Sequence, residues 1–434
     1  MRYRSPVAQA CAWGMAPVGS LVQQPLRSGP PCGTHFANTL RRELMPVRNR
    51  FAEMLPEITA WRHDFHEHPE LMYDVHRTAG LVQERLNAFG CDEVVPGIGK
   101  TGVVGVIKGK STASGKVIAL RADMDALPIH EETGLDYASK TPGKMHACGH
   151  DGHTAILLGA AKYLSETRNF DGTVVLLFQP AEEGGAGGKA MVDDGVMDRW
   201  GVQEVYGLHN MPGLPMGHIA TRVGGLLASS DEFEIEVTGK GGHAAAPHDA
   251  IDTTLVASQI VVSLHSIVSR NIDPIHRVVL TVGTFETDST ASNVIAHRAK
   301  LKGTVRTLDS ENRALAEERV RRVAEDTASA FGANATVKWT PGYPVTENTA
   351  QEVEYAVEAA RAVAEKVDPD AAPIMPSEDF AYMLEARPGA YIFLGNGDTA
   401  MCHHPAYQFD DCAIPLGCSW FVELCERRMP ASSS

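Results

Sequence analysis

Apolar residues recur along this chain in short runs that end in acids or histidines. Residues 117–123 form one such run, closing on Asp123 with Asp125 just beyond. Residues 173–178 form another, of strand length and rich in β-branched side chains, with Glu182 and Glu183 after it. A shorter run, 204–208, leads into His209, and residues 390–394 make a fourth. Helical patterns over 58–65 and 77–89 alternate with these runs, and the apolar stretch 154–164 reads as a buried helix. Such alternation predicts an α/β fold with a largely parallel sheet. Ligands of open α/β sheets bind beyond the carboxyl ends of the strands. Asp123, Asp125, Glu182, Glu183 and His209 are therefore expected to converge on one rim.

Between residues 230 and 343 the pattern changes. Residues 231–238 alternate as a strand, and 250–268 read as a helix. Strands are expected over 277–285 and 296–307, a helix over 310–331 closed by Gly332, and a last strand over 335–340. That β-α-β-β-α-β order is the ferredoxin-like split motif. It predicts a small α+β domain, 230–343, inserted between two parts of the larger one, 45–229 and 344–434. The chain shows no internal repeat.

Residues 1–44 stand apart. They carry five arginines and no acid before Glu43, are rich in Pro, Gly and Ser, and have no clear periodicity. A disordered extension is the expectation. An organellar transit segment, or upstream sequence read through before a start at Met45, also fits.

The chain has 434 residues, more than one compact core usually takes, which agrees with two domains. Its formal net charge of -15 argues against a large basic footprint for nucleic acid. No apolar run approaches membrane-span length. The eight cysteines are sparse and show no paired framework, so buried free thiols in a reducing cytoplasm are expected.

The chemistry concentrates in Met145-His146-Ala147-Cys148-Gly149-His150-Asp151-Gly152-His153. A lone cysteine is usually a small buried hydrophobe. Cys148, however, stands two residues from His150, just before a helix, where a helix N-terminus or a metal favours thiolate. Adjacent carboxylates such as Glu182 and Glu183 are usually solvated on a helix surface. Here they follow Pro180 and precede Gly184, Gly185, Gly187 and Gly188, so a turn exposing them at the rim is expected. One can bind metal while the other moves a proton. His209, taken alone, fits a hydrogen-bonded core residue as well as a ligand. His403 and His404 are adjacent and cannot easily reach one centre. His146 and His153 suit supporting or substrate-facing roles. Cys, His and Glu together suit borderline divalent metals. The glycine-rich stretch 239–244 places His243 on an exposed turn, without the spacing of a phosphate loop, and spacing gives it no function.

These motifs resemble those of the metal-dependent amidohydrolases that include bacterial hippurate hydrolases, N-acyl-amino-acid amidohydrolases and plant auxin-conjugate hydrolases. That family belongs with the aminoacylases and two-metal carboxypeptidases. The resemblance rests on Arg121-Ala122-Asp123-Met124-Asp125-Ala126-Leu127-Pro128, the run 146–153, Phe178-Gln179-Pro180-Ala181-Glu182-Glu183-Gly184 and Gly239 to His243. Residues 62–71 and Ser377-Glu378-Asp379-Phe380 match too, and the likeness spans residues 56–427. It implies a site for two divalent ions (manganese, zinc, cobalt or nickel) held by Cys148, His150, Glu183, His209 and His403. His403 rather than His404 follows from the family's His-x-Pro pattern. It implies Glu182 as general base for a metal-activated water, and a dimerisation or lid role for the inserted domain. It also implies that His243 completes the site of a partner subunit in a homodimer, and that Asn293 and Arg306 hold substrate oxygens. Ala296 departs from the proline of many relatives, and residues 1–44 have no counterpart in the family.

The implied reaction is hydrolysis of the amide of an N-acyl or N-aroyl amino acid to a carboxylic acid and an amino acid. Arg306 suits the free carboxylate, because its planar fork can bind both oxygens. Two rival readings make different demands. A cysteine hydrolase with Cys148 as nucleophile leaves Glu182, Glu183 and His209 without roles. A binding protein that merely kept the fold predicts a damaged ligand set, whereas every position is filled.

Overall fold

The computed structural model describes residues 46–431. The expectations for residues 1–44 lie outside the described residues. The main sheet has eight strands. From one edge to the other they are Glu93–Ile98, Gly102–Lys108, Thr173–Gln179, Val117–Asp123, Glu204–Met211, Gly389–Gly395, His218–Ala220 and Lys366–Asp368. The four central strands, Thr173–Gln179 to Gly389–Gly395, run parallel. The hairpin Glu93–Ile98/Gly102–Lys108 adds antiparallel pairing at one side. The sequence pattern gave no warning of this hairpin, since Gly102 and Gly105 dilute its apolar run.

Strand periodicity explains the layers. In Thr173–Gln179, Val174, Leu176 and Phe178 face one side, while Val175 and Leu177 face the other. The first face packs under the helices Pro46–Glu67, His76–Phe89, His150–Thr167 and Ile414–Arg428, which bring Ile58, Val82, Ile156 and Trp420 to it. The second is covered by shorter helices carrying Met191, Met197 and Met383. Strands buried on both faces read as continuous apolar runs. Each fully buried Val, Leu or Phe contributes about 1.5–3 kcal/mol.

A second, four-stranded antiparallel sheet runs Val278–Thr287, Arg298–Thr307, Asp231–Thr238, Asn334–Thr340. This is the ferredoxin-like order. The helices Thr253–Arg270 and Ser310–Ala330 cover one face and close a separate apolar core. The first helix starts three residues later than its pattern suggests. Asp252 caps it by accepting the N–H groups of Thr254 and Leu255. A two-stranded ribbon, Gly242–His243 with Val294–Ile295, stands apart from this sheet. No helix among the described residues is long and apolar enough to cross a membrane.

Candidate metal centre and active site

The parallel strands deliver polar residues to one rim. Asp123 and Gln179 end neighbouring strands, and His209 lies near the end of a third. The helix His150–Thr167 starts at the same rim. Its N-cap, Gly149, has φ 88, where a Cβ would lie 2.3 Å from Asn210 Nδ2 and 2.5 Å from Tyr407 Oη. Only glycine fits there. Asn210 Nδ2 donates to the Cys148 carbonyl at 2.6 Å, and Tyr407 donates to Asn210 Oδ1 at 2.7 Å. Cys148 is thereby fixed at the helix N-terminus.

The five expected donors come together. The ligand atoms of Cys148, His150 and His209 lie within 4.8 Å of one another, and so do those of Cys148, Glu183 and His403. Cys148 belongs to both sets. Its Sγ is 3.4 Å from His209 Nε2, while His403 Nε2 is 3.3 Å and His150 Nε2 4.0 Å from Glu183 Oε1. The rings of His150 and His209 are oriented from behind. His150 Nδ1–H donates to the Asp125 carbonyl at 2.8 Å, and His209 Nδ1–H to the Asn210 carbonyl at 2.6 Å. Both Nε2 atoms are left facing the cluster. His150 Nε2 is buried without a hydrogen-bond partner, which is what a ligand atom awaiting a cation should be. His403 takes a left-handed φ of 69, held by its N–H bond to the Ala147 carbonyl at 2.7 Å. His404 instead turns back on its own loop, accepting from Ala406 N–H.

Glu182 and Glu183 sit on a tight turn in which Ala181 and Ala186 have φ 53 and Gly184 φ 95. The Asp125 carboxylate accepts the N–H groups of both glutamates, at 2.9 and 3.1 Å. Burial pushes the Glu182 carboxyl well above the usual range, and the neighbouring Glu378, Glu183 and Asp379 add to this. Burial would raise Glu183 too, but its bond to His403 and the charge of His150 hold it below. Burial opposes charge on His150. Asp123, Asp125 and Glu183 outweigh it and push the ring up to about 10. Two carboxyls on one turn are thus driven in opposite directions.

Around the turn lies a buried charge network. Arg121 bonds to Asp123 at 2.7 Å, Glu378 at 2.8 Å and Asp379 at 3.1 Å. Removing one member of such a group typically costs about 3–5 kcal/mol. His153 bonds to Asp123 at 2.7 Å and accepts the Asn210 N–H at 3.0 Å, so it supports His209 from beneath. Both ring nitrogens of His146 are buried without partners.

The remaining three expected residues lie elsewhere. Arg306 is half-buried on the second sheet and donates to Ser377 Oγ at 3.3 Å, beside Glu378. His243 and Asn293 are exposed and adjoin on the ribbon. His243 pairs with Val294, and Ala244 N–H donates to the Asn293 carbonyl at 3.0 Å. Among the described residues, no hydrogen bond or ion pair ties either to the metal donors.

The model of peptidase family M20/M25/M40 matches residues 119–427. The chain belongs to this family. It is 42% identical over 393 residues to an N-acetyl-L-cysteine deacetylase of Bacillus subtilis, covering 90% of this chain and 92% of that one. It is 43% identical over 365 residues to the hippurate hydrolase of Campylobacter jejuni, covering 84% and 94%. A crystal structure from Bacillus subtilis, described as a dinuclear metal binding peptidase of the M20 family, superposes with a TM-score of 0.77 at 38% identity. It covers 87% of this chain and 99% of that one.

This M20 chain is a hydrolase, and its site contains residues to which sequence reasoning gave no role. Glu378 and Asp379 were visible only as a motif. Arg121 was a clue that could have been followed, since a guanidinium inside an apolar strand must find buried carboxylates. Cys402 is the less foreseeable one. Its thiol is coupled to that of Cys148, an interaction that raises Cys148 and lowers Cys402 to about 6, although burial pushes both upward. Nothing in the spacing of two cysteines 254 positions apart (402 minus 148) signals that contact.

Proposed function

We propose that this M20 hydrolase cleaves the amide bond of N-acyl or N-aroyl amino acids, with Glu182 as general base. The observation that carries the reading is a shared thiol between two donor sets, set beside a buried glutamate. The two sets suit two divalent ions. Cys148, His150 and His209 would hold one, and Cys148, Glu183 and His403 the other. Thiolate and imidazole favour zinc on softness, and manganese, cobalt or nickel suit the mixed set as well. When bound, the ions would polarise the amide carbonyl and make water a stronger acid.

The chain's own residues supply the rest. Glu182 takes a proton from the attacking water and returns it to the leaving nitrogen, a task that its raised affinity for protons suits. Arg306, beside Ser377, binds the free carboxylate of the amino acid. His243 donates to the developing oxyanion, with Asn293 next to it. Its exposure, with no bond to its own rim among the described residues, supports action on a second copy of the chain in a homodimer. The exposed Phe285, on the edge strand of the second sheet, and Val294, on the ribbon, support such an assembly. Relatives named for deacetylation of N-acetylcysteine and for hippurate hydrolysis support the substrate class.

The test is a panel of acetyl, benzoyl and indole-acyl amino acids assayed after chelation and after restoring each divalent metal. Turnover that survives full chelation would sink the proposal. The closeness of Cys148 and His209 also suits a thiolate–imidazole hydrolase. In that case alkylation of the metal-loaded enzyme would abolish turnover while its metal stays bound.

A further inference from the structure

The turn that carries Glu182 is closed by a residue from a distant part of the chain. Tyr343 Oη donates to the Glu182 carbonyl at 2.6 Å, and accepts the N–H groups of Gly184 at 2.9 Å and Ala186 at 3.2 Å. A phenolic oxygen has one proton and two lone pairs, so this turn takes its whole capacity. The turn bonds only in part to itself, with Gly184 N–H donating to the Glu182 carbonyl at 2.7 Å. With Ala181, Gly184 and Ala186 all at positive φ, its peptide groups point where no helix or strand neighbour can serve them. Asp125 grips the same turn from the other side, through the Glu182 and Glu183 N–H groups. Asp125 thus fixes where the two carboxylates begin, and Tyr343 fixes the carbonyl of Glu182 and the path beyond it.

Tyr343 does not come from the main sheet. It follows Asn334–Thr340, the last strand of the second sheet, where the chain crosses back. That crossing is paired with the outgoing one. Ser230 N–H donates to the Tyr343 carbonyl at 2.9 Å, and Tyr343 N–H donates to Ser230 Oγ at 3.2 Å. Arg313 bonds to Asp231 at 2.8 and 2.7 Å and to the Gly342 carbonyl at 3.0 Å, which ties both crossings to the helix Ser310–Ala330. The backbone of Tyr343 therefore belongs to the second sheet's mounting, and its hydroxyl to the turn of Glu182.

We infer that Tyr343 is a positioning residue for hydrolysis, acting through Glu182. The inference rests on the assignment of Glu182 as the base. Tyr343→Phe keeps the ring and removes only the hydroxyl. In the full-length, metal-loaded protein it should lower kcat about ten- to a hundredfold, the cost of a misplacement of about 1 Å. KM should stay within about twofold, with metal content and folded fraction unchanged. A double-variant cycle separates positioning from general support. If Tyr343 acts through Glu182, Tyr343→Phe should cost nothing more in a Glu182→Gln background. Unchanged kcat would overturn the inference. So would a loss that tracks lost metal or lost folded protein, or losses that simply multiply in the double variant. Should Glu182→Gln itself retain full turnover, the reading of Glu182 fails first. An inactive Glu182→Gln beside a fully active Tyr343→Phe would sink this inference alone.

Discussion

At the rim of the main sheet, His150 and His209 each spend one ring nitrogen on a backbone carbonyl and keep the other for the cluster. Glu182 is buried, and both its N–H and its carbonyl are bonded. On the ribbon of the second sheet the arrangement is reversed. His243 is exposed, its Nδ1 accepts from the nearby Ala245 N–H, and strand pairing with Val294 sets its backbone. The difference teaches where preorganisation resides. The polar groups of the rim converge within one chain, because strand ends and a helix start deliver them to one place. The ribbon holds its histidine at the surface, bonded only within its own turn.

The largest expected effect tests the rim. Glu182→Gln keeps the shape of the side chain but cannot take a proton, so turnover should fall about a hundred- to ten-thousandfold with metal content unchanged. Metal analysis beside kinetics decides this. Equal losses of metal and rate would make Glu182 a ligand and reverse the roles of the pair.

His243→Ala tests the ribbon. Turnover should fall about a hundred- to a thousandfold at normal metal content. Refolding this variant together with Glu182→Gln should recover activity, since a hybrid dimer holds one site with both groups intact. Hybrids that form and stay inactive would place the action of His243 within its own chain, or nowhere.

Asp125→Asn should have a smaller effect on the rim. It weakens the grip on the Glu182 and Glu183 N–H groups, and supporting partners of metal sites are typically worth about ten- to a hundredfold in metal affinity. Competition with a coloured chelator reads this directly. Unaltered affinity would mean that the turn holds itself.

The smallest effect sharpens the assignment of ligands. His404→Ala removes an exposed ring that turns back on its own loop, so metal affinity should not change and stability should move by less than about 0.5 kcal/mol. His403→Ala should strip metal. If the two variants behave the other way round, His404 and not His403 belongs to the second donor set.

Much of this was open to reading in the chain. Strands such as Thr173–Gln179, buried on both faces, leave an apolar run bounded by glycine and proline, and period alone separates them from the alternating Asp231–Thr238. The rule that ligands gather beyond strand ends then places Glu182, Glu183 and His209 together without coordinates. Family resemblance singled out His403 over His404. The hairpin Glu93–Lys108 escaped, because glycines at 102 and 105 erased its signal.

The sequence by itself determined the alternation of elements and the ferredoxin-like insertion, since each is written in local periodicity, while the roster of expected donor residues came from the family resemblance of its contiguous motifs. Tertiary structure alone decided which atoms face one another. That Cys148 belongs to two donor sets, that Arg121 gathers Asp123, Glu378 and Asp379, that Cys402 lies against Cys148 and that Tyr343 closes the turn of Glu182 are contacts between residues far apart along the chain. Local pattern carries no record of such distances. They are set by strand order and by where buried polar groups find their partners.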